Sequence, residues 1–452
     1  MKRAPKVSRR QWLAGMLGAP LIPSARGGAG KQTANPDVAI VGAGVAGLAA
    51  AHALIAGGRS VLVLEALPRI GGRAYTDVSS IGVPWDRGAA YLEGGQENPL
   101  LAVARRFGFG LSPYRPAEWL YQDGKRASPT AQKAFERAYE ELDEVLTSAG
   151  REGEADASAA WTVQSVGFAN PWTATAAAHL MPLDYGLDAE DVSVRDWAGI
   201  EGGTNFAVGE GIGTLVQRLG EAIPVSLGAP VSQITRNRDS LTLTTSKGAV
   251  TARAALITVS APVLASGTIG LKGVVPVDVL DAAANMTMGN LEKVALALTP
   301  DKAATYPANT LLIPKLRDER TYYVHMRPHG QPVAIYYAGG RWARTLAAMP
   351  LSGASAEARA ALADMLGSAA LKAVTRASAT NWAGDARFRG SYSAVKVNAL
   401  PARLNLAKPF ASDVFLAGEA LGERRAQSLD GAWWSGTRAA REILAHLRAR
   451  QL

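Results

Sequence analysis

Three glycines, Gly42, Gly44 and Gly47, stand between the apolar run Val38-Ala39-Ile40-Val41 and the helix-forming stretch Leu48 to Ala56. Each has its own physical task in that setting. The first permits a tight turn, the second lets backbone approach a pyrophosphate, and the third lets helix and strand pack closely. N–H groups at the start of the helix, around Val45 and Ala46, then face the phosphates. Glu65 follows Gly47 by 18 residues, with Ala66 after it, and closes a second strand-like run, Ser60 to Leu64. A carboxylate there accepts hydrogen bonds from ribose hydroxyls. The order strand, glycine turn, helix, strand, acid describes a dinucleotide site, and this unit alone does not separate nicotinamide from flavin.

The next segment does. Arg69-Ile70-Gly71-Gly72-Arg73 lies just beyond the second strand, and Asp86-Arg87-Gly88-Ala89 comes soon after. A flavin needs glycine backbone close to its ring and phosphates, here at Gly72, Gly88 and Ala89, and gains from a cation such as Arg73. These motifs resemble those of the flavin amine oxidase family. The resemblance continues through Gly209-Glu210-Gly211, Pro230-Val231-Ser232-Gln233-Ile234, Asp385 to Tyr392, Leu416-Ala417-Gly418-Glu419, Asp430-Gly431-Ala432 and Ser435-Gly436. It implies one noncovalent FAD, touched by backbone at Val231. Glu419, after a buried strand, would bind the ribityl chain. A helix starting near Gly431 and Ala432 would point its positive end at the flavin.

The same resemblance implies the chemistry: a hydride passes from the carbon beside an amine to the flavin, and the imine hydrolyses to an aldehyde or keto acid. Electrons then go to O2 or a periplasmic acceptor. Lys293, in Gly289-Asn290-Leu291-Glu292-Lys293, falls where family members hold a water against the ring. From the residues alone it is either an edge-strand charge or a buried, functional lysine, and its spacing from Gly289 favours the second. Tyr392 would form one wall of an aromatic cage around the amine, and Ser428 stands opposite it, where some members carry a second tyrosine, which leaves half a cage and room beside it. Ser391 stands where some members carry the cysteine that bonds FAD. Arg424 and Arg425 are either solvated or partners for a substrate carboxylate, so amine and L-amino acid both stay open as substrates. A flavin desaturase acting on C–C bonds and a noncatalytic flavoprotein module are the competing readings, and Lys293 argues against the first.

These residues need a scaffold of matching size. The chain has 452 residues, 48% of them hydrophobic, enough for two or three domains. Periodicity places helices over Asn98 to Phe107, Ala131 to Leu146, Ile212 to Glu221, Ser355 to Leu366 and Asp430 to Leu447, with a loop over 150–160. Strands are expected at Ala254 to Val259, Leu291 to Leu298, Thr321 to Met326, Val333 to Tyr337 and Val414 to Ala417. The nucleotide segments are scattered, so the expected fold is α/β: a discontinuous, Rossmann-like, doubly wound FAD-binding domain (36–110, 205–275, 395–452). An α+β substrate domain (111–204, 276–394) is inserted in it. The stretches 111–200 and 300–380 match the family least and are expected to shape the substrate pocket.

Composition removes other classes. The net charge is +9, but Lys2, Arg3, Lys6, Arg9 and Arg10 in an acid-free leader leave only +4 for the rest, so nucleic acid is not an expected partner. Ser8-Arg9-Arg10-Gln11-Trp12-Leu13 and the short apolar run to Ile22 resemble a twin-arginine export signal within a leader and linker of residues 1–30. A periplasmic or secreted enzyme without a membrane span is therefore expected. There are no cysteines, which excludes thiolate catalysis and a sulfur-linked flavin. His52, His179, His325, His329 and His446 show no metal-ligand spacing, so no metal is expected.

Overall fold

In the computed structural model, residues 35–450 are described apart from 154, 168, 411 and 412. The leader with Arg9 and Arg10 lies outside the described residues. The short apolar runs form a five-stranded sheet in the order Val414–Leu416, Ala254–Ile257, Val38–Val41, Val61–Leu64, Val225–Ser226. Every neighbouring pair is parallel. Continuous rather than alternating apolarity is what a sheet covered on both faces requires. Val38 and Ile40 enter one core, with the helices Val45–Ala56 and Leu429–Ala449, while Ala39 and Val41 enter another on the opposite face. The two helices come close at Gly436, where a Cβ would stand 2.2 Å from the carbonyl oxygen of Ala46.

A second sheet has seven strands, ordered Val374–Ala379, Leu291–Leu298, Val333–Gly339, Tyr322–Met326, Thr310–Pro314, Ala117–Gln122, Lys125–Arg126. One face packs on the long helix Pro129–Glu152 through Phe135, Ala138, Leu142 and Leu146; the other packs on Gly340–Ala348 and Leu351–Leu366. Among the described residues no helix is long and apolar enough to cross a membrane.

The sequence reading errs at particular boundaries. The long helix begins at Pro129, because Ser128 caps it and proline suits the first turn, and it runs through the expected loop to Glu152. Gly150, the first residue of that expected loop, sits inside the helix at a close contact, where a Cβ would lie 2.0 Å from the Val194 oxygen. The π-helical turn His179–Tyr185, with Pro182 inside, was not anticipated.

Candidate active site

One cavity of about 1390 Å³ runs from the glycine turn of the parallel sheet to the face of the second sheet. Single small-ligand pockets span roughly 300–1000 Å³, so this one has room for a dinucleotide and a substrate together. At its nucleotide end the three glycines have three different environments. Gly42 has φ +105°, the positive range that glycine tolerates. A Cβ on Gly47 would fall 2.1 Å from the Gly42 oxygen, whereas one on Gly44 meets nothing within 4 Å and projects into open space. The helix behind has no side-chain cap and no acid in its first turn, so its N–H groups suit a phosphate. Val45, Ala46, Glu65, Ala66, Gly72, Arg73, Gly88, Ala89, Val231, Gly418 and Ala432 all line the same cavity. This cradle fits a flavin dinucleotide.

Several expected binding groups prove to be engaged elsewhere. Glu65 accepts the N–H of Ala43 at 2.7 Å and of Leu67 at 2.8 Å, tying the first loop to the second strand. Glu419 accepts from Arg73 at 2.9 Å, from the Ser393 hydroxyl at 2.7 Å and from the Gln427 N–H at 3.1 Å. Despite full burial, Arg73, Ser393 and Arg403 hold its carboxyl below the ordinary range. Glu419 lines the cavity with its carboxylate already engaged in these bonds, and the Arg73 charge is paired with it. Gly431 does not line the cavity; a Cβ there would stand 2.0 Å from the Arg425 oxygen. Close packing explains that glycine.

Lys293 lies on an interior strand, between Val374–Ala379 and Val333–Gly339, and is 2% exposed, which removes the edge-charge reading. Its ammonium donates to the carbonyls of Asp86 at 3.0 Å and Gly88 at 2.5 Å and lies 4.7 Å from the centre of the Tyr337 ring. Burial pulls its pKa down to about 8, against the upward pull of Asp86. The neighbouring Glu292 points the other way, accepting from Thr380 at 2.5 Å and from the Ala383 N–H at 2.8 Å; burial raises it to about 7. Together they clamp the loop 86–88 to the turn 380–383, whose Trp382 also lines the cavity.

Tyr392 lines the cavity, and its hydroxyl donates to the Asp184 carbonyl at 3.0 Å. Burial, with Asp184 and Glu93 nearby, pushes its phenol well above the usual value and keeps the ring neutral. Ser428 borders the same cavity, with its hydroxyl engaged. Its hydroxyl donates to the Arg425 carbonyl at 2.7 Å and accepts the Gly431 N–H at 3.0 Å, the bonds of a helix N-cap. Ser391 is likewise occupied, donating to Leu291 O at 3.0 Å and accepting Leu291 N–H at 2.9 Å. Arg425 pairs with Asp430 at 2.8 Å and Arg424 with Glu201 at 3.4 Å.

The substrate end holds groups the sequence reading did not single out. Tyr91 stacks on Tyr114 at 4.7 Å between centroids, and Tyr323 on Tyr337 at 4.6 Å. Glu93, Glu118 and Asp184 line the same space. Burial first, then Asp430, Asp184 and Glu419, raises Glu93 to about 7. The Tyr139 hydroxyl orients the Asp184 carboxylate at 2.9 Å. Most of these residues lie in the stretches 111–200 and 300–380, but Tyr91 and Glu93 come from the part assigned to the FAD domain. Their only sequence signal was an acid in the glycine- and aromatic-rich stretch Tyr91-Leu92-Glu93-Gly94-Gly95. Beneath this end, Arg403 forks onto Asp196 at 2.9 and 3.0 Å, and Asp196 also accepts the Val395 N–H at 3.0 Å and the Tyr185 hydroxyl. Among the described residues no group of three or more His, Asp or Glu is placed to hold a metal.

The profile of the family described as flavin containing amine oxidoreductase matches residues 45–444. The chain belongs to this family. As a flavin amine oxidoreductase it is 26% identical over 92% of its length to lysine-specific histone demethylase 2 of Homo sapiens, covering 54% of that protein, about half its length. It is 28% identical to polyamine oxidase 2 of Arabidopsis thaliana, over 91% of this chain and 88% of that one. Among solved structures, cyclohexylamine oxidase from Brevibacterium oxydans superposes with a TM-score of 0.76 at 22% identity, over 91% of this chain and 99% of the other. A putrescine oxidase bound to putrescine gives 0.75 at 21%, with the same coverage. These likenesses share the doubly wound α/β fold.

Proposed function

We propose that this flavoenzyme holds FAD noncovalently and oxidises a cationic amine, with a diamine or polyamine preferred over an amino acid. The observation that carries this reading is the charge of the substrate end. Glu93, Glu118 and Asp184 face it, and the arginines expected to receive a carboxylate, Arg424 and Arg425, are already paired with acids. Arg115 and Arg151 also line it as exposed side chains, as do Glu118 and Asp184, while Glu93 is half-buried and Asp143 adds a further acid. Acids outnumber cations at this end, which attracts an ammonium and repels a carboxylate.

The cofactor would rest on Gly42–Ala46, Ala66, Gly72, Gly88–Ala89 and Val231, and when bound supplies the acceptor for a hydride from the carbon bearing the amine. The chain's own groups do the positioning. Glu93 and Asp184 hold the positive charge of the substrate. Tyr392, fixed through its hydroxyl to the Asp184 carbonyl, presents a neutral ring that limits the approach angle. Lys293 keeps the loop 86–88 against the second sheet. The lack of cysteine removes a sulfur link, and Ser391 is bonded on both sides, which supports the noncovalent reading.

The experiment is aldehyde or keto-acid release from a panel of diamines, monoamines and L-amino acids, beside denaturation and filtration of the yellow protein. Turnover highest on diamines, with all flavin in the filtrate, is expected. Preference for amino acids, or colour retained with the denatured chain, contradicts the reading.

A further inference from the structure

A second chamber, of about 300 Å³, backs onto the main cavity, and His179 and Leu183 line both. The two belong to the π-helical turn His179–Tyr185, a geometry that recurs at functional sites. His179 is 8% exposed, yet neither ring nitrogen has a hydrogen-bond partner among the described residues. Its Nδ1 approaches Asp184 only to 3.6 Å, beyond hydrogen-bond range. Ring contacts hold it instead: it stacks on Tyr323 at 5.6 Å and meets Tyr139 and Phe135 edge-on at 5.9 and 6.1 Å. The ring thus stands as a partition between the two cavities, held by these ring contacts and by its loose pair with Asp184.

The far chamber is polar. The loop Lys315 to Thr321 and the helix Leu351–Leu366 bring three cations, Lys315, Arg317 and Arg320, and three acids, Asp318, Glu357 and Asp364, to its wall, with the Lys315 ammonium lying over the Trp172 ring at 5.1 Å. Asp318 is tightly taken by Arg320 at 2.6 Å, but Glu357 and Asp364 meet their arginines only at 3.6 Å. Those two carboxylates keep acceptor capacity for a further donor. A hydrocarbon end gains little from such a lining, whereas an ammonium keeps its hydrogen bonds there.

We infer that His179 sets the depth of the amine cavity: it is the wall that stops short substrates, and behind it lies a subsite for the distal ammonium of an elongated amine. This rests on the amine-oxidising function proposed above. The test is anaerobic flavin reduction of the holoenzyme by α,ω-diamines and monoalkylamines of increasing chain length. His179→Ala is expected to move the optimum to longer diamines, raising their second-order rate constant relative to short ones at least about tenfold. His179→Phe keeps a ring in the wall and should keep the wild-type profile. Adding Ala360→Trp, at an exposed position on the chamber's lining, should cancel the gain. Leu183→Ala removes the other wall residue and must give the same shift, which keeps the test alive if His179→Ala loses its flavin. An unmoved optimum in the opened variants, or an equal gain for long monoalkylamines, overturns the assignment. Failure of every amine to reduce the wild-type flavin overturns the function beneath it instead.

Discussion

Around Gly42 to Gly47 and Gly71 to Arg73 the cavity wall is main chain, with glycines wherever a Cβ would strike a carbonyl or fill the cradle. Around Tyr91, Glu93, His179 and Asp184 the wall is side chain, drawn from the loop 87–94 and the π-helical turn. The first kind of wall demands fixed residues at fixed spacing, because backbone geometry is unforgiving. The second demands only that side chains converge, and many sequences achieve that.

If the two ends differ in this way, mutations should separate them. The largest effect is expected where side chains alone join them. Asp196→Ala leaves Arg403 buried without its partner and strips an acceptor from Val395 and Tyr185. Breaking one side of a buried pair costs about 3–5 kcal/mol, so denaturant melts should move by that amount. A loss below about 1 kcal/mol would mean that this junction is not what ties the substrate end down.

A sharper contrast lies within the glycine turn. Gly47→Ala drives a Cβ to 2.1 Å from the Gly42 oxygen and should destabilise the protein with or without flavin. Gly44→Ala meets no protein atom within 4 Å, so the apoprotein should melt as wild type. Its FAD affinity should nevertheless fall at least tenfold, about 1.4 kcal/mol, on titration of the stripped protein. Unchanged affinity would place the pyrophosphate elsewhere.

This contrast also explains what was legible in the sequence. The parallel sheet, the glycine turns and Lys293 were readable because each obeys a local rule: apolar runs, φ, spacing from a glycine. That Ser428 also caps a helix is not legible, because an N-cap serine and a cavity serine look alike until the helix start at Leu429 is known. The bonds of Glu419 are not legible either, because its partners Arg73 and Ser393 approach from distant parts of the chain. Asp184 and His179 carried no motif at all, since a π-helical turn containing Pro182 has no period to detect.

Lys293 belongs to both ends, through the loop 86–88 and the ring of Tyr337. Lys293→Met removes two hydrogen bonds to carbonyls and should slow flavin reduction or reoxidation about tenfold in single-turnover kinetics, ~1.4 kcal/mol of barrier. Unchanged rates in both half-reactions would leave it a structural clamp. The smallest effect concerns Glu93. Its pKa is raised to about 7, so the carboxylate is neutral below that pH and charged above it. The KM for a cationic amine should therefore fall as pH rises through about 7, on top of the amine's own titration. Glu93→Gln should flatten that step and raise KM severalfold on the alkaline side; a step that survives belongs to another group.

The central claim is that an amine meets a reducible flavin in the cavity between the two sheets. Mixing the purified holoenzyme anaerobically with a short diamine, and following the flavin colour, tests it most directly. The account predicts complete bleaching in a single turnover, with the yellow returning when oxygen or another acceptor is admitted. Flavin that stays oxidised in the presence of every diamine and monoamine, while a chemical reductant still bleaches it, would contradict the account.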